Sequence, residues 1–176
     1  DKWMQQRPYV VGAGHVWHRR LFERFGAVSH KVKAEDQVMT FRAVMLGGAI
    51  TVAEPLVKYR RGGISGRVRL FSSKEQMERW FKSSASGLAE IEQIIQDAGK
   101  LGMQDQLALH FEKMLAKEHY VQDMYCATGF TDKIRLFLKA NTVPAGWRWR
   151  IFVHAGLPML TAPFFCFKRS VARLKK

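Results

Sequence analysis

The chain is expected to fold as α+β, predominantly helical, for three reasons. Short apolar runs ended by glycine or proline, at 9–11, 49–52 and 56–59, have the length and composition of strands. Longer segments place apolar residues three and four positions apart, the spacing of a helix that buries one face. The two kinds of segment are segregated. The strand-like runs lie in residues 1–70, and residues 71–176 read as helix throughout.

Residues 1–8 are a polar lead-in that ends at Pro8, and Tyr9-Val10-Val11 forms the first strand. Gly12-Ala13-Gly14 lets the backbone turn tightly or approach a ligand. Residues 15–25 carry Val16, Trp17, Leu21, Phe22 and Phe25 at helical spacing, with Gly26 as the stop. A loop at 27–34 leads to a helix at 36–46, which opens on acids at its positive end and stops before Gly47-Gly48. Glu54-Pro55 interrupts the following strand-like run and puts part of it at an edge or bulge. Residues 61–72, rich in arginine, glycine and serine without periodicity, form a loop.

From residue 73 to 97 a stripe of Met77, Trp80, Phe81, Leu88, Ile91 and Ile95 predicts a long helix. Gly99 and Gly102 mark a turn. A second long helix at 103–127 carries Leu107, Phe111, Met114, Val121 and Tyr125, so the pair is expected to form an antiparallel hairpin. Residues 132–139 make a shorter helix. The tail at 151–167 is almost wholly apolar, but Pro158 and Pro163 break it into two short helices. It is flanked by Trp147-Arg148-Trp149-Arg150 and Lys168-Arg169. Aromatic rings and cations in that arrangement suit a membrane interface, so 147–170 is read as an interfacial segment, with packing on the protein's own helices as the alternative.

Composition bounds the function. With 47% apolar and 25% charged residues the chain folds rather than staying disordered. Its 29 Lys and Arg against 15 Asp and Glu give a net charge of +14, which draws polyanions: nucleotide phosphates, nucleic acid or anionic lipid. Cys126 and Cys166 have no neighbouring Cys or His at metal-ligand spacing and read as reduced thiols of a cytoplasmic protein. The start at Asp1, close to a strand-like run, reads as a fragment that lacks an N-terminal portion. There is no Gly-x-x-x-x-Gly-Lys, no paired-cysteine zinc motif and no Gly-x-Ser-x-Gly.

The chemistry-bearing residues cluster early. Glu35 and Asp36 stand at a helix start, where free backbone N–H groups favour charged carboxylates; such a group either caps the helix or accepts a proton from a hydroxyl. Arg60 and Arg61 precede Gly62-Gly63, and guanidinium forks bind phosphate oxygens in pairs. The alternative is two solvated surface arginines. His15 and His18 have a spacing that can bind metal, but no third ligand is near in sequence, so no metal site is assigned.

Taken in order, Tyr9-Val10-Val11-Gly12-Ala13-Gly14, the run from His18 to Gly26, Glu35-Asp36, and Glu54-Pro55-Leu56-Val57-Lys58-Tyr59-Arg60 resemble the second half of the catalytic domain of a family-two glycosyltransferase. The match covers residues 9–65. The resemblance implies the acceptor-binding half of a GT-A fold and inverting transfer of a sugar from a nucleotide-sugar donor to a saccharide or lipid-linked acceptor. It implies that Asp36 is the catalytic base and Glu35 its partner. Gly12, Ala13 and Gly14, with His15 beside them, would line the donor–acceptor cleft. Arg60, with Arg61, would fold over the diphosphate. Two departures stand out. The chain has no Asp-x-Asp, so the divalent Mg or Mn ion and the nucleotide-binding half would have to come from residues before Asp1, and this chain alone is expected to be inactive. Arg61 or Gly62 stands where many members carry a metal-touching histidine. The competing reading is a basic helical binding module without catalysis, for nucleic acid or an anionic membrane surface. Nucleic acid is the weaker partner, because no reading motif is present and the cations are spread along the chain. A transferase of this kind would be cytoplasmic and peripheral at the inner face of the membrane.

Overall fold

The structure, a computed structural model, describes residues 14–33, 35–58, 72–163 and 167. Among the described residues the named helices are, in order, α1 (Arg20–Phe25), α2 (Glu35–Met45), α3 (Ser73–Gly99), α4 (Gln104–Cys126), α5 (Phe130–Lys139) and α6 (Ala145–Gly156). Residues 158–163 are also helical. Among the described residues about 71% are helical and none is in a strand, so the described part is all-α and the α+β expectation is corrected. The runs at 49–52 and 56–58 lie in no ladder and are exposed, Ile50 at 95% and Leu56 at 71%. A lone extended segment cannot satisfy its own N–H and C=O groups; strand character needs a neighbour, whatever the side-chain pattern. The expected strand at 9–11 and the basic loop from residue 59 lie outside the described residues.

The chain divides into two compact units. One comprises Asp1–Gly66 with Ser86–Glu112, the other Arg67–Ala85 with Lys113–Lys176. Each long helix thus contributes to both.

In the first unit, α1 is shorter than its apolar spacing suggests, because Val16 stays exposed and only Leu21 and Phe25 turn inward. The His18 ring accepts the Arg20 N–H at 3.1 Å and so supplies the capping acceptor that Arg19 does not. Gly26, at φ +74°, ends the helix in a backbone conformation that side chains with a Cβ resist. Leu21 packs against Met39 and Ala43 of α2, with Trp17, Val28 and Leu46 around them. After α2, Gly47 and Gly48 take φ of +115° and +102°, and the Gly48 N–H closes back on the Ala43 carbonyl at 2.8 Å. Val38 and Phe41 are fully buried on the same helix.

The deepest groups of this unit are charged. Arg42 and Asp97 are both 0% exposed. Arg42 donates from Nε to Asp97 Oδ2 at 2.7 Å and from Nη2 to Oδ1 at 3.2 Å, and its Nη1 reaches the Gly26 carbonyl at 2.8 Å. Gln93 donates to Asp97 Oδ1 at 3.2 Å while accepting the Ser29 N–H at 3.0 Å, which fastens the 27–33 loop to α3. Lys100 donates to the Phe25 carbonyl at 2.6 Å. Two cations therefore serve the carbonyl end of α1, where the helix dipole is negative. The sequence stripe had pointed to Ile95. Ile91 of that stripe is buried, but the buried face continues through Gln93, Ile94, Asp97 and Ala98 rather than Ile95, because the carboxylate must point toward Arg42.

In the second unit the start of α3 runs antiparallel to α4. Ser84 Oγ donates to the Glu118 carbonyl at 2.7 Å, Gln122 Nε2 to the Phe81 carbonyl at 2.8 Å, and Phe81 stacks on Tyr125 at 4.2 Å. Met77, Tyr120, Val121, Met124, Val143, Ile151 and Phe152 form its core. The α5–α6 pair closes on it, with Lys133 Nζ donating to the Ala155 carbonyl at 2.8 Å and Arg148 Nη1 to the Ala140 carbonyl at 3.2 Å.

Replacing Arg42 by Met leaves the Asp97 carboxylate buried without its cation. Urea unfolding should report a loss of about 3–5 kcal/mol, and adding Asp97→Leu should restore most of it. A loss under about 1 kcal/mol for the single change would remove the pair from its role.

Candidate functional site

The acid pair sits on the first turn of α2, but its two members are not equivalent. Glu35 is exposed and Asp36 is half-buried. Asp36 lies in line with Met39 and Ala43, three and seven residues on, the stripe by which α2 packs on α1. Its carbonyl accepts the Thr40 hydroxyl at 2.6 Å, which strengthens the first turn. Three residues beyond Met39 comes Arg42, whose Nη1 touches the Met39 sulfur at 3.9 Å. The carboxylate thus heads a helix whose last turns are locked into the core.

His15 reaches this body through one aromatic side chain. Trp17 packs against Leu21, Met39 and Ala43, and the His15 ring stands edge-on to Trp17 at 4.7 Å. The His15 Nδ1 is buried without a hydrogen-bond partner among the described residues. A Cβ added at Gly14 would meet nothing within 4 Å, so no close packing inside the described residues requires glycine there. Gly12, Ala13, Arg60 and Arg61 lie outside the described residues. His18 serves as a cap, and among the described residues no group of three or more His, Cys, Asp or Glu could hold a metal ion.

The second unit holds a polar contact with no local sequence signal, because its members are 81 and 88 residues apart. Ser73 Oγ lies 3.2 Å from His154 Nδ1 and also bonds to the Thr161 hydroxyl. Ser73 is buried and its hydroxyl is shared, so the contact ties the tail to the start of α3 rather than presenting a nucleophile. The Trp-Arg-Trp-Arg run is largely used internally. Arg150 lies over Trp80 at 5.2 Å, Lys117 over Trp147 at 4.5 Å and Arg148 over Phe137 at 5.0 Å. Of the tail, Ile151 and Phe152 are core residues, whereas Trp149, Met159 and Leu160 are exposed. Among the described residues no helix is long and apolar enough to cross a membrane.

Two groups here are displaced from their ordinary titration range. Burial pushes the Tyr120 phenol up to about 12, opposed by the Arg148 charge; its hydroxyl donates to the Arg148 carbonyl at 3.0 Å. Burial, and then the Arg150 charge, hold His154 below its usual 6.5.

No family model matches the chain, and neither the curated proteins nor the solved structures contain a significant match to it.

Because the folded state disfavours the His154 proton, the unfolded chain binds more protons just below pH 6.5, and stability falls as pH drops through that window. Melting temperatures at pH 7.5 and 5.5 should therefore differ more in the native protein than in His154→Gln. Equal differences would exclude His154 as a contributor.

Proposed function

We propose that residues 9–65 are the acceptor-side half of an inverting glycosyltransferase, with Asp36 as the general base. The observation that carries this reading is the asymmetry of the acid pair. Asp36 is half-buried on a helix anchored through Arg42, which gives a proton acceptor the fixed position that general-base catalysis needs. Glu35, exposed beside it, would orient the acceptor or hold the local charge. In the reaction the acceptor O–H gives its proton to Asp36 as the oxygen bonds to the anomeric carbon. The bond from that carbon to the diphosphate oxygen breaks on the opposite face, and the nucleoside diphosphate leaves. Arg60 and Arg61 would offset the charge it carries away.

A second observation supports the reading. Ile50, Val52, Leu56 and Val57 are exposed along a non-helical segment that has the composition of strand but lies in no ladder. Such a segment suits pairing with strands contributed by a nucleotide-binding half. The divalent cation would be held by that half, since this chain contains no Asp-x-Asp.

In the enzyme carrying its nucleotide-binding half, Asp36→Asn should lower sugar transfer by about 10²–10⁴-fold, the usual contribution of a general base. Donor affinity, measured by calorimetry, should stay within about twofold, since the lost interaction is one made in the transition state. Transfer retained at the native rate would take Asp36 out of this role.

A further inference from the structure

Helix α5 is amphipathic in sequence, yet none of its ten residues is buried. Its circumference has three sectors. Lys133, Leu136 and Phe137 face the second unit, where Leu136 and Phe137 pack on the core and Lys133 is bonded to the Ala155 carbonyl. Next comes a partly exposed apolar stripe at i, i+4 and i+8: Phe130, Ile134 and Leu138, which are 50%, 37% and 64% exposed, the inner edge of the Phe130 ring tilting against Phe152 at 6.2 Å. Beyond it lie Arg135 and Lys139, both exposed. A stripe of large apolar groups bordered by cations is the pattern of a helix lying in the plane of a lipid surface.

Charge selects the occupant. From residue 130 to the end of the chain there are ten Lys and Arg against one acid, Asp132, a net +9 out of the +14 of the whole. That one acid is already paired with Arg135 at 3.3 Å. Each cation near an anionic leaflet adds to the attraction, while a neutral leaflet offers only the apolar term. A protein partner would have to be acidic over an equally large area.

We propose that the Phe130–Ile134–Leu138 face of α5 seats the second unit on an anionic membrane surface, with Arg135 and Lys139 at the headgroup level. The face lies before the 147–170 segment whose composition first suggested an interface, and it is needed because Trp147, Arg148 and Arg150 are engaged with rings of their own unit. The inference is independent of the transferase reading, which concerns Asp36 in the other unit.

The test is co-flotation of the full chain with vesicles of phosphatidylcholine and phosphatidylglycerol at 7:3, and with pure phosphatidylcholine, at about 0.15 M salt. The native chain should partition at least about tenfold more strongly into the anionic vesicles. Ile134→Ser with Leu138→Ser should reduce that partitioning about tenfold or more. Arg135→Glu with Lys139→Glu should reduce it on anionic vesicles alone. All four positions are exposed, and circular dichroism will verify that the helices persist. Native-like partitioning of the Ser variant overturns the proposal. So does a native chain that ignores lipid, or an Ser variant that changes only oligomeric state and leaves vesicle binding intact. Asp36→Asn should partition like the native chain, so failure here and failure of the transfer experiment are read separately.

Discussion

A guanidinium and a carboxylate removed from water at the centre of the first unit set the terms for everything around them. The cost of burying Arg42 and Asp97 is recovered only if every polar edge is met. The neighbouring chain is arranged to meet them: the fork takes both Asp97 oxygens, the remaining arm takes the Gly26 carbonyl, and Gln93 fills another acceptor position. These demands fix where α1 ends, how α2 is rotated and which face of α3 turns inward. They also close the 27–33 loop, through Ser29. The acid pair at the head of α2 inherits its position from this lock.

The second unit is held together differently. Its ties are aromatic faces and the cations above them, with Trp80 meeting Trp147 at 5.7 Å and His154 at 5.0 Å, and Phe137 meeting Phe152 at 4.9 Å. Stacked and tilted rings bury area without demanding one registry of polar atoms. Packing of this kind leaves one side of α5 uncovered, and it tolerates Trp147 Nε1 and Arg148 Nε buried without a hydrogen-bond partner among the described residues. The apolar stripe that results is the surface we propose to meet lipid.

Local chemistry was legible where the signal is local. The glycine after Phe25, the acids opening α2, the Gly47-Gly48 stop and the turn marked by Gly99 and Gly102 could be read along the chain, because caps and stops act over a few residues. Helix α1 was overextended to 15–25 because apolar spacing continues through Val16, which finds nothing to pack on. The strand-like runs misled for a related reason: Ile50, Val52, Leu56 and Val57 have the right side chains, but a strand exists only as one member of a pair. At the candidate site, the identity of Glu35 and Asp36 was plain from sequence, while the difference in their burial was not.

The sequence by itself determined the helical content of the described residues after 71, the position of the acid pair, the scarcity of acids toward the C-terminus and the break before Pro158. All follow from residue type and spacing within a few turns. Only the tertiary structure decided that Asp97 rather than an apolar neighbour turns inward, that Ser73 meets His154, and that Arg150 lies over Trp80. Those outcomes depend on groups 55 to 88 residues apart, and no local rule ranks one distant partner above another until the backbone has brought them within reach.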